Sequence, residues 1–370
     1  MLYLFAIIAT VTLTLIFAAH YFLFHTVIKF FGIASRPLIN VLRAASAVLP
    51  LSFILASILI ARFNNLLVRL FYVAASAWLG FLFYLFLACV LFYAVLFLLK
   101  ILSLNLNPKI LIIILFSAAV AIGIYGLVAA RQVKTISLEI TLPNLPAAWQ
   151  GKAVIFISDL HLGVVNNYAL ADRLARQIEA LKPDLLLIGG DFYDGQKNID
   201  LLRLANSFSR ISAPAGKFFV TGNHEEFGDN SAFIKAITGA GITNLNNQLI
   251  NLNGLQIIGL DYREAYSRDD FASALEKLNI NQNQPSILLR HVPDKIEVAA
   301  RAGISLMLAG HAHKGQLFPI QYIETLFYHG FQYGLNKSGA TQVYTTSGAG
   351  VWGPPLRVLA DPEIVLIKFK

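Results

Sequence analysis

The sequence predicts an all-α membrane region of about four transmembrane helices followed by a layered α/β domain. Three observations predict it. Of the 370 residues, 56% are hydrophobic, above the roughly 45–50% usual for a soluble protein, and the mean hydropathy is +0.63. Charge is unevenly distributed: nine Lys or Arg and no acid precede Glu139, which leaves 20 basic residues against all 21 acids. From Lys152 onward, short apolar runs alternate with amphipathic stretches, the pattern of strands and helices in turn.

Four stretches reach spanning length, which is about 17–25 apolar residues. They are Leu2–Phe24, Ala44–Ala61, Leu70–Leu99 and Ile110–Ala130. All nine basic residues before Glu139 fall between or at the ends of these spans. The first stretch has no basic start and further spans follow, so it reads as a retained helix rather than a cleaved signal. His20 and His25, at its end, read as interfacial histidines. The spans contain no acid, which favours an anchor over a transport path. Lys29, Arg36, Arg43, Lys100 and Lys109 lie on one side, and Arg62, Arg69, Arg131 and Lys134 on the other. Five against four leans toward an N-terminus and following domain outside the cytoplasm. The net charge of +8 therefore comes from the membrane part and does not indicate nucleic-acid binding; no nucleic-acid partner is expected. Cys89, the one cysteine, excludes an internal disulfide and a thiolate metal site, and leaves the redox compartment open.

The expected organisation is an anchor over 1–135, a linker over 136–151 containing prolines and Trp149, and a domain over 152–370. "AVIFISD", "DLLLIGGD" and "KFFVTGNHE" read as strands with their following loops. Leu170, Leu174, Ile178 and Leu181 recur at helical spacing, and Leu201–Ile211 reads as a second helix. Further strands are expected at Leu255–Leu260, Ser286–Arg290, Ile304–Ala309, Gln342–Thr346 and Ile364–Phe369.

Polar residues of one kind follow strand after strand: Asp159 and His161, Asp191 and Asp194, Asn223 and His224, His291, and His311 with His313. In open α/β sheets the ligand crevice lies beyond the carboxyl ends of the strands. His311 and His313 stand two apart, so on an extended backbone both rings point to one side. Carboxylate, imidazole and amide oxygen without thiolate suit Mn²⁺, Fe, Zn²⁺ or Mg²⁺, with Mn²⁺ favoured. Seven donors are too many for one ion and suit a pair about 3.5–4 Å apart. Asp194 reads as a loop-stabilising residue, His329 as a loop histidine among aromatics and Lys314 as a solvated lysine.

In their order, D-x-H, G-D-x-x-D, G-N-H-E, H and G-H-x-H resemble the calcineurin-like metallophosphoesterase superfamily. The closing "TSGAGVWGPPLRVLADPEI" resembles its bacterial membrane-associated phosphodiesterase branch. The resemblance covers about Lys152 to Lys370 and implies an α/β/β/α sandwich of two sheets flanked by helices. It implies that Asp159, His161, Asp191 and His313 hold one metal ion, and that Asp191, Asn223, His291 and His311 hold the second. Asp191 and His224 would be the catalytic residues, His224 donating, when protonated, to the departing oxygen. Where relatives often have Thr and Gly, this chain has Ala312 and Lys314. The implied activity is that of a membrane-anchored phosphoesterase, a phosphodiesterase above all, acting through hydroxide held between two metals. Its partners would be a phosphoester substrate, lipid-linked in one version, and the bilayer of a bacterial cell. Two alternatives are a metal-binding sensor or scaffold without turnover, and a pyrophosphatase of the UDP-diacylglucosamine type, which needs a cytoplasmic site.

Overall fold

The computed structural model describes residues 2–370 apart from Lys197, Phe227, Gly228, Glu264 and Tyr266. The chain divides into two compact units. One runs to Val128 and includes Gly353–Leu356; the other holds Ala129–Trp352 and Arg357–Lys370.

The first unit contains α1 (Leu2–Phe31), α2 (Arg36–Arg62), α3 (Leu66–Ile101) and α4 (Pro108–Ala129). All four helices are long and apolar enough to cross a membrane. α2 begins at Arg36, ahead of the expected Ala44, because Pro37 suits a first helical turn. α3 has 36 residues; at 1.5 Å each it reaches about 54 Å, against about 30 Å of hydrocarbon. Its start is fixed by Asn65, whose side chain accepts from the Val68 N–H at 3.0 Å. Aromatic rings join α1 to α3, with Phe30 and Phe92 centroids 4.6 Å apart. His20 is buried among the helices, 3% exposed. Trp78 Nε1–H donates to its Nε2 at 2.9 Å, and its Nδ1 lies 2.8 Å from the Ile16 carbonyl. Burial of this ring is tolerated because both nitrogens are partnered. His25 is exposed.

The second unit runs β1 (Lys134–Ile140), β2 (Ala153–Ile157), α5 (Tyr168–Ala180), β3 (Leu185–Ile188), α6 (Leu201–Asn206), β4 (Lys217–Phe219), α7 (Asn223–Glu226), α8 (Ser231–Gly239), β5 (Thr243–Asn244), β6 (Gln248–Leu252), β7 (Leu255–Gly259), α9 (Arg268–Lys277), β8 (Ser286–Leu289), α10 (Ile296–Arg301), β9 (Leu306–Ala309), α11 (Ile320–Phe327), β10 (Gly334–Ser338), β11 (Thr341–Thr345) and β12 (Glu363–Phe369). Two six-stranded sheets result, ordered β1-β12-β2-β3-β4-β5 and β10-β11-β9-β8-β7-β6. β2 through β5 are parallel, as are β7, β8, β9 and β11. β3 reads "LLLI" and β9 "LMLA", and every residue of both is buried. Such continuous apolar runs are what a parallel strand covered on both faces requires.

Three apolar layers account for the sandwich. One packs α5, α6 and α8 on the first sheet through Leu170, Leu174 and Ile178 among others. A second fills the space between the sheets, with Val154, Leu187, Ile257 and Leu308. A third packs α9 and α10 on the second sheet, with Phe271, Leu275 and Val298. The α/β/β/α arrangement is present. Part of the expected linker is not a linker: Lys134–Ile140 is an edge strand in parallel register with β12, Ile136 opposite Val365. α6 is also shorter than expected and ends at Asn206.

Candidate metal centre

Five loops, each at the carboxyl end of a parallel strand, carry the sequence-identified donors. Asp159 and His161 follow β2, Asp191 follows β3, and Asn223 and His224 open α7 after β4. His291 follows β8; His311 and His313 follow β9. The structure brings all of them together. His161 Nε2 lies 3.0 Å from His313 Nε2, which is 3.5 Å from Asp159 Oδ1. His291 Nε2 lies 3.1 Å from each of Asp191 Oδ2, Asn223 Oδ1 and His311 Nδ1. Asp191 Oδ2 is also 3.7 Å from His161 Nε2, so one carboxylate oxygen faces both groups.

His311 and His313 do not reach the site as alternate residues of an extended strand. β9 stops at Ala309, and the two have φ of 71° and 49°. Asp159, His161 and Asp191 share this left-handed backbone, with φ of 55°, 44° and 49°. Non-glycine residues rarely adopt it, and it clusters where function over-determines geometry. Two glycines leave room for the carboxylates: a Cβ on Gly222 would collide with Asp191 Oδ1, and one on Gly310 with Asp159 Oδ2.

Backbone groups aim the donors. The His311 N–H donates to both Asp159 oxygens at 3.0 Å, and the His224 N–H to Asp191 Oδ1 at 2.9 Å, which leaves Asp191 Oδ2 to the site. His291 Nδ1 lies 2.9 Å from the Gly189 carbonyl. A carbonyl accepts only, so Nδ1 carries a proton, and in the neutral ring, the form that can bind a cation, Nε2 presents its lone pair.

Charge follows the same layout. Burial works against ionisation of Asp191, but facing His291 and His161 hold its carboxyl far below the usual range. Burial raises Asp159. Burial opposes charge on His291, yet Asp191 outweighs it and lifts the imidazole to about 9. Burial and the neighbouring His291 push His311 down to about 3, and burial lowers His313 well below its ordinary value. Burial also lowers His224. Asp191 and Asp194 act in the opposite sense, favouring the charged ring.

Three residues matter here beyond the expected set. Asp194 Oδ1 lies 3.6 Å from both His161 Nδ1 and His224 Nδ1, so its carboxylate faces two imidazoles of the site. Glu225 is buried and accepts from the N–H groups of Asp191, Tyr193 and Gly222 at 2.9–3.0 Å, tying two donor loops together. Arg357, fully buried, lies with Nη2 3.0 Å from His313 Nδ1 and donates to the carbonyls of Ser347, His313 and Ala360. Glu225 and Arg357 stand inside quoted motifs, but the partners that bring them to the site, Asp191 and Tyr193 for one and His313 for the other, are more than thirty residues away. Lys314 sits over the Tyr333 ring at 4.1 Å, and His329 is exposed. Trp352, 56% exposed, places its ring 6.2 Å from that of His224.

The residues fit metal ions. Three groups, Asp159–His161–His313, Asp191–His291–His311 and His161–Asp194–His224, each present ligand atoms within 4.8 Å of one another. Two buried imidazole nitrogens converging at 3.0 Å beside carboxylates form a donor set for a hard or borderline divalent cation.

Comparison with known proteins agrees. The family model for calcineurin-like phosphoesterase matches residues 152–315, the span of every donor named above. A transmembrane protein with metallophosphoesterase domain from Danio rerio is 32% identical over 67% of this chain and 60% of its own length. A metallophosphoesterase of Helicobacter pylori (strain J99) is 32% identical over 58% of this chain and 59% of its own length. The chain thus spans about three fifths of each of these two relatives. A metallophosphoesterase of Aquifex aeolicus is 30% identical over 68% of this chain and 97% of its own length. With its motifs on the loops of a two-sheet sandwich and a relative matched over nearly its whole length, this chain belongs to the calcineurin-like phosphoesterase family.

Proposed function

We propose that the protein is a membrane-anchored phosphoester hydrolase with a two-cation centre. Asp159, His161, Asp191 and His313 would hold one cation, and Asp191, Asn223, His291 and His311 the other. The observation that carries this reading is the position of Asp191, whose Oδ2 is 3.7 Å from His161 Nε2 and 3.1 Å from His291 Nε2. When bound, the cations lower the pKa of water and neutralise the phosphoryl oxygens, where transition-state charge gathers.

The chain's own groups do the rest. Asp194 faces the His161 and His224 rings, and Glu225 fixes the loops of Asp191 and Gly222. His224 is not in either four-donor set and stands beside Trp352. Its ring N–H would donate to the departing oxygen and stabilise it by hydrogen bonding. The substrate class is a phosphodiester, and the membrane part favours a lipid-linked phosphate. Basic residues flanking the helices favour the extracytoplasmic side of a bacterial membrane.

The test uses the purified full-length protein, stripped of metal and resupplied with Mn²⁺, on bis-p-nitrophenyl phosphate and p-nitrophenyl phosphate. Metal-dependent release from the diester, lost in Asp191→Ala and His224→Ala, is expected. Stoichiometric metal binding without release under any divalent cation would overturn phosphodiesterase activity and favour the sensor alternative.

A further inference from the structure

α11 presents its polar side to the protein and its apolar side outward. Residues three and four apart share a helix face. Gln321, Glu324 and Thr325, with Tyr328 just past the helix end, fall on one side and are partly buried. One side-chain oxygen of Gln321 and one of Glu324 are shut away from solvent. Gln332 Nε2 donates to Thr325 Oγ1 at 2.5 Å, and the Tyr328 ring lies 6.4 Å from that of His311. The other side carries Tyr322, Ile323, Leu326 and Phe327, which are 64%, 55%, 75% and 75% exposed. Tyr322, Leu326 and Phe327 are the most exposed large apolar side chains described in the second unit. No charge stands among the four. A helix of a water-soluble domain does the reverse and turns its apolar stripe to the core.

We propose that this face of α11 is seated in lipid, as an interfacial helix at a bilayer surface. A contiguous exposed apolar patch is a liability in water and marks an interaction site. Here the chain brings an apolar phase with it: four residues, 130–133, separate α4 from β1, so a lipid surface is always at hand. The composition suits that phase, since aliphatic side chains enter the acyl boundary while Tyr and Phe occupy the headgroup level. A second copy of the chain is a poorer occupant. A specific protein interface takes roughly 20–30 residues a side, and four side chains on two turns fall well short. α11 follows the loop of His311 and His313 directly, so lipid contact there brings a headgroup beside the metal-ligand loop.

The experiment uses full-length protein with Cys89→Ser as background and one new cysteine at a time: Ile323→Cys, Leu326→Cys or Phe327→Cys, with Leu202→Cys as a control on an exposed site of α6. Each is labelled with an environment-sensitive fluorophore and placed in phosphatidylethanolamine–phosphatidylglycerol nanodiscs with or without doxyl-labelled lipid. Doxyl lipid is expected to cut fluorescence about twofold or more at 323, 326 and 327 and to leave 202 unchanged. Quenching at the α11 positions by aqueous iodide instead would overturn the proposal in favour of a solvent face. Quenching by neither agent would overturn it in favour of a protein partner. No turnover is read, so failure here is separate from failure of the phosphodiesterase assay.

Discussion

The two sheets contribute different chemistry to the centre. Of the proposed ligands, the first sheet carries the oxygen groups, Asp159, Asp191 and Asn223, and one imidazole, His161; the second carries the imidazoles of His291, His311 and His313. The oxygen half is held by backbone N–H groups and by the buried Glu225. The imidazole half is aimed by single contacts such as Gly189 to His291. In the proposed centre, neutralising charge would come from one sheet and the remaining imidazoles from the other.

The largest effect should come from Asp191→Asn, which removes the one charge facing both groups. Turnover of the aryl diester is expected to fall on the order of 10³-fold, with bound metal, read by elemental analysis, dropping below two per chain. His311→Ala tests the imidazole half and should cost less, about 10²-fold, with one metal retained. A greater loss from His311→Ala than from Asp191→Asn would break the division of labour between the sheets. Asp194→Asn sharpens it, because Asp194 faces two rings without belonging to either four-donor set. Activity is expected to drop roughly 10–100-fold through loosened imidazoles, with two metals still bound; loss of a metal would make Asp194 a ligand. The smallest change is Trp352→Ala. The indole stands beside His224, and its removal should raise KM for the aryl diester roughly two- to tenfold while kcat holds; a fall in kcat alone would place Trp352 outside substrate binding.

What could be read from the sequence follows the same physical lines. β2, β3 and β9 are legible because strands buried on both faces must be apolar throughout, and the donors stand out as polar residues ending such runs. β1 was hidden because half its residues face solvent and it joins the sheet through β12, more than two hundred residues away. Short β5 and exposed β10 leave little pattern. Glu225 and Arg357 were illegible as site residues because their roles depend on which backbone groups arrive beside them. The left-handed backbone of the histidine loop was likewise out of reach: spacing of two suggested a strand, and the chain achieves convergence by turning instead. α11 shows the opposite failure, since an amphipathic pattern reveals an apolar face but not which way it points.

Asp159, His161, Asp191, His311 and His313 all hold a backbone conformation that suits glycine better. Each costs about 1–3 kcal/mol relative to relaxed backbone. Glycine at any of these five positions would relieve that cost and delete a donor in the same step. Asp159 and Asp191 are held against that pressure by the N–H groups of His311 and His224, so selection for stability alone would act on the histidines, and thermal screening of random variants should return inactive, more heat-resistant proteins with glycine in place of His161, His311 or His313. The site persists against the preference of its own fold.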